Sequence, residues 1–170
     1  MSQEGALLVM IAVAIVFIGL MAWGWWRRVR RDRALVAPFG PVPEAAERLA
    51  AFSGLYVATT AHGAALERLA IAGLGYRSRV DLIVTDAGIA LDLTGQDTIF
   101  VRRERLVEAS QATVTIDRIV EKDGLARIVW RLQDDLLVDS YFRSQEASAR
   151  AVAAAIDRIV PHTTPTGSDA

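Results

Sequence analysis

Val80-Asp-Leu-Ile-Val-Thr-Asp-Ala-Gly-Ile-Ala-Leu-Asp-Leu93 is the stretch that decides the fold. Val80, Leu82 and Val84 fall at every second position, the period of a strand with one buried face. Asp86-Ala-Gly88 turns the chain and Ile89–Leu93 runs back, so the stretch predicts an antiparallel hairpin.

Working outward, the same grammar repeats. Thr98–Arg102 reads as a further strand, and so does Thr113–Val120. Lys122-Asp-Gly124 signals a tight turn into Leu125–Leu132, where Ile128, Trp130 and Leu132 share a face. Gln133-Asp-Asp135 turns the chain again into Leu136–Phe142. Upstream, Ser53–Thr60 reads as the first strand and Glu44–Phe52 as one or two helical turns, while Ala65–Tyr76 carries conflicting signals. Downstream the period changes: Val152, Ala155, Ile156 and Ile159 recur at helical spacing, predicting a helix over Gln145–Val160 that Ser144 caps and Pro161 ends. About seven short antiparallel strands and one C-terminal helix predict a mainly-β, α+β domain. A bent sheet or small barrel plugged by that helix is the pleckstrin-homology (PH)-like architecture; another small α+β domain with a helix laid on one sheet is the alternative.

The N-terminus is written differently. Between Ala6 and Trp26, 19 of 21 residues are apolar, broken only by Gly19 and Gly24. Twenty-one helical residues span roughly 31 Å, the thickness of a bilayer's hydrocarbon layer. Trp23, Trp25 and Trp26 mark one end, where aromatic rings favour the headgroup region, and Arg27, Arg28, Arg30, Arg31 and Arg33 follow. A cleaved signal peptide would carry its positive charge before the apolar run, where this chain has Glu4. The expected organisation is an extracellular N-terminus (1–5), a transmembrane helix (6–26), a basic juxtamembrane segment and Pro-rich linker (27–49), the PH-like domain (50–161) and a flexible tail (162–170). The positive-inside rule places the domain in the cytoplasm of a single-pass cell-membrane protein. The arginines are expected to do two things: to orient the span, and to hold the linker on anionic lipid.

Charge and composition exclude several function classes. Residues 1–33 hold five arginines against two acids, a local +3, whereas residues 34–170 hold 14 basic residues against 18 acids, a local −4. A domain at −4 is a poor nucleic-acid binder, because that binding rests on phosphate neutralisation. The chain has no cysteine and two histidines, His62 and His162. Thiolate chemistry is excluded, and no histidine stands at metal-ligand spacing from a carboxylate. No nucleophile elbow, Ser-x-x-Lys or phosphate loop occurs. Asp134, Asp135 and Asp139 lie on or after a turn, where water keeps carboxylates ionised and removes the pKa separation that acid–base pairs need. Asp139 is expected to pair with Arg143. The reading is a non-enzymatic chain with no cofactor and no metal.

Gly73-Leu-Gly-Tyr-Arg-Ser-Arg79, Thr85-Asp-Ala-Gly-Ile89, Gly124-Leu-Ala-Arg-Ile-Val-Trp-Arg-Leu132 and Leu137-Val-Asp-Ser-Tyr-Phe-Arg143, in that order, resemble a family of small actinobacterial membrane proteins. Members have one N-terminal span and a cytoplasmic PH-like domain, are often encoded near pyrimidine-biosynthesis genes, and are sometimes labelled export or transport proteins. The resemblance covers nearly the whole chain. Ser140-Tyr141 departs from a Thr-Gly pair at that place in the family. It implies architecture and location rather than chemistry.

Arg77 and Arg79 form one basic run in the domain, and Arg102, Arg103 and Arg105 another. Brought to one rim, they would suit an anionic headgroup or a protein partner; as edge-strand charges they would only block pairing with other chains. The expected function is a membrane-tethered binding or scaffold module whose partners are the lipid bilayer and another membrane or cytoplasmic protein, with no nucleic acid. The alternative is a small accessory subunit of a membrane transport or export system.

Overall fold

A computed structural model describes residues 3–32, 35–112, 124–133 and 136–161. It divides into two units, residues 1–34 and 35–170.

The first unit is one helix, α1, Gln3–Asp32. Within it Leu7–Arg27 is long and apolar enough to cross a membrane, and none of it is buried inside the protein. A run of this length and apolarity has no place in water unless something covers it.

The second unit is a seven-stranded antiparallel sheet and a helix. The strands are β1 (Arg48–Ala61), β2 (Ser78–Thr85), β3 (Gly88–Leu93), β4 (Ile99–Arg102), β5 (Leu106–Ala112), β6 (Leu125–Gln133) and β7 (Leu136–Ser144), and the helix is α2 (Ala149–Asp157). Spatial order is β4-β3-β2-β1-β7-β6-β5. The long β1 belongs to both halves: Arg48–Tyr56 pairs with β2 and Gly54–Ala61 with β7. An irregularity between Tyr56 and Ala58 bends it, as an extra residue in one strand does. The halves can then fold towards each other over one core that holds Tyr56, Leu82, Val84, Ile89, Ile99, Ile128, Trp130 and Phe142. On α2, Val152 and Ile156 enter that core, and Ile159 and Val160 just beyond it are buried too. The predicted hairpin is observed, with Val80 opposite Leu93 and Thr85 opposite Gly88.

Several sequence expectations change. Residues 44–52 are not helical beyond a turn; β1 starts at Arg48, because Ala50 and Phe52 alternate into the core and Arg48 pairs with Thr85. The partner of β6 is Leu106–Ala112, with Ser110 opposite Arg127. The strand expected at Thr113–Val120 lies outside the described residues, as do Lys122, Asp123, Asp134, Asp135 and the tail from 162. Helix α2 is shorter than expected, and its cap is Ser148, whose Oγ accepts from the Ala151 N–H at 3.2 Å. Ser144 Oγ instead accepts from the Ala147 N–H at 3.1 Å, stabilising the turn before the helix.

The largest difference concerns the expected spacer. Residues 35–40 are laid along the β4 edge. The Phe100 N–H donates to the Pro38 carbonyl at 2.9 Å and the Gly40 N–H to the Thr98 carbonyl at 3.0 Å. On the other side the Ala72 N–H donates to the Leu35 carbonyl at 3.2 Å. Ala37 is buried. This segment covers an edge that would otherwise present unpaired backbone groups. The 65–76 connection, ambiguous in sequence, buries Leu69, Ile71 and Leu74 without forming a named strand or helix.

Candidate functional site

The structure separates the two arginine runs that, brought to one rim, would suit an anionic headgroup. Arg79 lies at the end of the β2–β3 hairpin where its carbonyl accepts from the Thr94 N–H. Arg102 lies at the other end, opposite Gly88. Six residues of strand between Arg79 and Thr85 make about 20 Å. Arg77 precedes β2 on the Arg79 side. Near Arg102 the chain places exposed Arg103 and exposed Arg48, the latter opposite Thr85. Arg48 went unnoticed in sequence because only strand register brings it there. Acids are interleaved at this end: the Asp86 Oδ1 accepts from the Glu47 N–H at 2.9 Å. Arg105 is partly committed, its Nη1 donating to the Leu132 carbonyl at 3.2 Å. The arginines therefore offer no single anion cradle.

On α1, the Arg27 guanidinium lies 5.6 Å from the centre of the Trp23 ring, and that of Arg30 lies 5.1 Å from that of Trp26. These pairs sit one helical turn apart, which is the spacing that brings side chains together. Trp25 is exposed. Arg28 and Arg31 continue the helix, and Arg33 lies outside the described residues.

The outer face of β1, β7, β6 and β5 carries a polar cluster that sequence reasoning missed. One cross-strand row runs Thr60–Asp139–Val129–Glu108 and the next Ala58–Tyr141–Arg127–Ser110. Asp139 Oδ1 lies 2.7 Å from His62 Nδ1; its side chain is 3% exposed, and that of His62 is 42% exposed. The Gly63 N–H adds a longer donor at 3.4 Å to Oδ2. The expected partner of Asp139 was Arg143, four residues on. In a strand these point to one face but stand about 13 Å apart along it, whereas His62 meets Asp139 where β1 ends beside β7. Arg127 Nη2 donates to Glu108 Oε1 at 2.6 Å and its Nε to Ser110 Oγ at 3.1 Å. Bonds from Ser110 and Arg127 hold the Glu108 carboxyl below the ordinary carboxylate range. Burial pushes the Tyr141 phenol up.

This cluster contains an oriented histidine but lacks the geometry of a hydrolytic triad. Ser140, next to Asp139, faces the opposite way, into the core, because successive strand residues alternate. There its Oγ accepts from Trp130 Nε1 at 2.9 Å. Among the described residues no three His, Asp or Glu side chains come together as a metal set.

A groove of about 560 Å³ runs over the outer face of β1 and β2, lined by Arg48, Phe52, Ser53, Asp81, Asp92 and Glu146 among others. Asp81 and Asp92 are directly opposite each other, a pairing of like charges that weakens a sheet. Ser53 Oγ relieves it by donating to Asp81 Oδ1 at 2.6 Å. The groove sets hydrogen-bond acceptors beside an apolar wall, with the Ser53 hydroxyl held by the Asp81 carboxylate.

No curated protein matches the chain. The model of the bacterial PH domain-like family matches residues 36–158, opening at the segment laid along β4 and closing just past α2. With an antiparallel sheet bent about a shared first strand and a C-terminal helix over its core, this chain belongs to the bacterial PH domain-like family.

Proposed function

We propose that this protein is a single-span membrane protein whose PH-like domain faces the cytoplasm and works as a binding or scaffold module, its partner being another protein. One observation carries the reading: an apolar helix of membrane length, Leu7–Arg27, precedes a PH-like domain in the same chain. PH-like domains are typically non-enzymatic modules. The arginines after the apolar run give the orientation. The resemblance to small actinobacterial single-span proteins supports the same architecture. A protein partner is favoured over a phosphorylated headgroup because the arginine runs stand at opposite ends of the β2–β3 hairpin.

Protease added to intact cells tests the reading. The domain is expected to survive until the membrane is opened; digestion in intact cells overturns the topology. The protein is expected to stay with membranes through alkaline carbonate; its release overturns the span. Crosslinking in native membranes is expected to trap a discrete heteromeric product that the span alone does not give.

A further inference from the structure

Three exposed apolar side chains, Val36, Phe39 and Tyr76, surround the place where the segment 35–40 meets the 70–76 connection. They are 54%, 44% and 84% exposed. Beside them lies an open hollow of about 510 Å³ lined by Ala70, Ile71, Ala72, Gly73, Gly75 and Tyr76, with Gln96. Two exposed aromatics and a valine gathered at one small-residue surface are a patch of the kind that marks an interaction site. Tyr76 is followed at once by Arg77, and a ring with a polar tip beside a cation suits the boundary between headgroups and acyl chains.

We infer that this patch docks the domain onto the bilayer interface, so that Val36, Phe39 and Tyr76 dip among the lipids at the foot of the span. The inference rests on the membrane-span reading above and adds a contact to it. What selects lipid as the occupant is chain continuity. Residues 33 and 34 are all that separates the helical run ending at Asp32 from Leu35, which is already hydrogen-bonded in the domain. At about 3.5 Å per residue, three peptide steps reach no further than about 11 Å. Asp32 lies five residues past Arg27, about 7.5 Å of helix, which is on the order of one headgroup layer. Val36 is therefore confined near the lipid surface. A docked patch also accounts for the exposed apolar side chain of Val36 close after a run of arginines, whereas Phe39 rests in part on Gly73.

The absence of cysteine makes the test direct. The full chain carrying one of Tyr76→Cys, Val36→Cys, Glu146→Cys or Phe17→Cys is labelled with a small fluorophore. It is then reconstituted in vesicles of phosphatidylcholine and phosphatidylglycerol with and without doxyl-labelled lipid. Native-like near-ultraviolet circular dichroism confirms folding of each variant. Phe17 reports on the span alone and must be quenched by the mid-chain label; if it is not, the span reading fails. With Phe17 quenched, labels at 76 and 36 are expected to be quenched by shallow doxyl lipid at least threefold more than at Glu146, which lies by the outer groove. Equal, weak quenching at 36, 76 and 146 overturns the docking while leaving the span intact. A label at 76 that is shielded from aqueous iodide yet unquenched by lipid also overturns it, in favour of contact with a second copy of the chain.

Discussion

The ring of Phe39 lies against Gly73 so closely that a β-carbon added at 73 would come within 2.5 Å of the ring Cζ. Gly73 has φ +88, a left-handed conformation that favours glycine. Gly73→Ala therefore incurs backbone strain and pushes the ring off at once. Unfolding in urea is expected to show a loss of about 1–3 kcal/mol. Phe39→Ala combined with Gly73→Ala is expected to cost less than the two single losses added together, since both disturb one contact.

The same contact makes the domain's boundary testable. A chain beginning at Leu35 keeps the segment laid along β4, whereas one beginning at 50 loses it and part of β1. The longer is expected to be monomeric and cooperatively folded. The shorter is expected to aggregate or to melt well below it in calorimetry, because an uncovered edge is a template for pairing.

Trp130 anchors a buried chain of hydrogen bonds. Its Nε1 donates to Ser140 Oγ at 2.9 Å, Ser140 and Thr59 hydroxyls lie 2.7 Å apart, and the Tyr56 hydroxyl is 2.9 Å from both Thr59 Oγ1 and the Leu74 carbonyl. An indole only donates and a carbonyl only accepts, which fixes the two ends of the chain, and between them the Tyr56 hydroxyl donates towards Thr59 Oγ1 and the Leu74 carbonyl. Burial pushes the Tyr56 phenol up, which keeps its proton available. Trp130→Ala is expected to cost about 3–5 kcal/mol, as a large aromatic truncation in a core does. Ser140→Ala removes the partner of the buried indole N–H and leaves Thr59 bonded to Tyr56 alone, and is expected to cost about 1–3 kcal/mol in urea unfolding.

His62→Ala removes the close partner of a carboxylate whose side chain is 3% exposed. A loss of about 1–3 kcal/mol is expected, with Asp139→Asn costing less because an amide is cheaper to leave buried than a charge. A double-mutant cycle on the two positions measures the coupling. Additive losses would show the pair to be energetically idle.

Glu108 gives the domain an acid-side signature. Its folded pKa is depressed, so its contribution is present above the ordinary carboxylate value of about 4.3 and is lost as pH falls through the lower folded value. Arg127→Leu removes one cause of the depression. The midpoint of acid unfolding, followed by tryptophan fluorescence, is expected to move to higher pH, and by little, since Glu108 is about half exposed.

Replacing Arg102, Arg103 and Arg105 with Ala is expected to change affinity for anionic vesicles less than twofold. The first two stand among acids, and Arg105 is held by the Leu132 carbonyl. A drop of tenfold or more in co-sedimentation would restore that end of the sheet as a headgroup site.

Much of this architecture is legible in local pattern. The Val80–Leu93 hairpin, the β6 face of Ile128, Trp130 and Leu132, and the helical period at Val152 and Ile156 are each written within about a dozen residues. Alternation and helical spacing are properties of neighbours, and burial of one face follows from them. The apolar run to Trp26 and the arginines after it are equally local, because length and hydropathy suffice to describe a candidate span.

Other features are not carried by neighbours at all. That Arg79 and Arg102 stand apart, that His62 meets Asp139 and that residues 35–40 line the β4 edge all depend on which strands pair and in what register. A proline-rich stretch reads as a spacer until an open strand edge nearby gives its carbonyls and N–H groups partners. The sequence by itself determined the β2–β3 hairpin, β4, β6, β7, the C-terminal helix and the greasy helix ahead of them, since these arise from short-range periodicity, whereas β5 and the start of β1 emerged from pairing. Only the tertiary structure decided which polar groups share a surface, because register places side chains 77 residues apart within 2.7 Å and separates others on one hairpin by its full length.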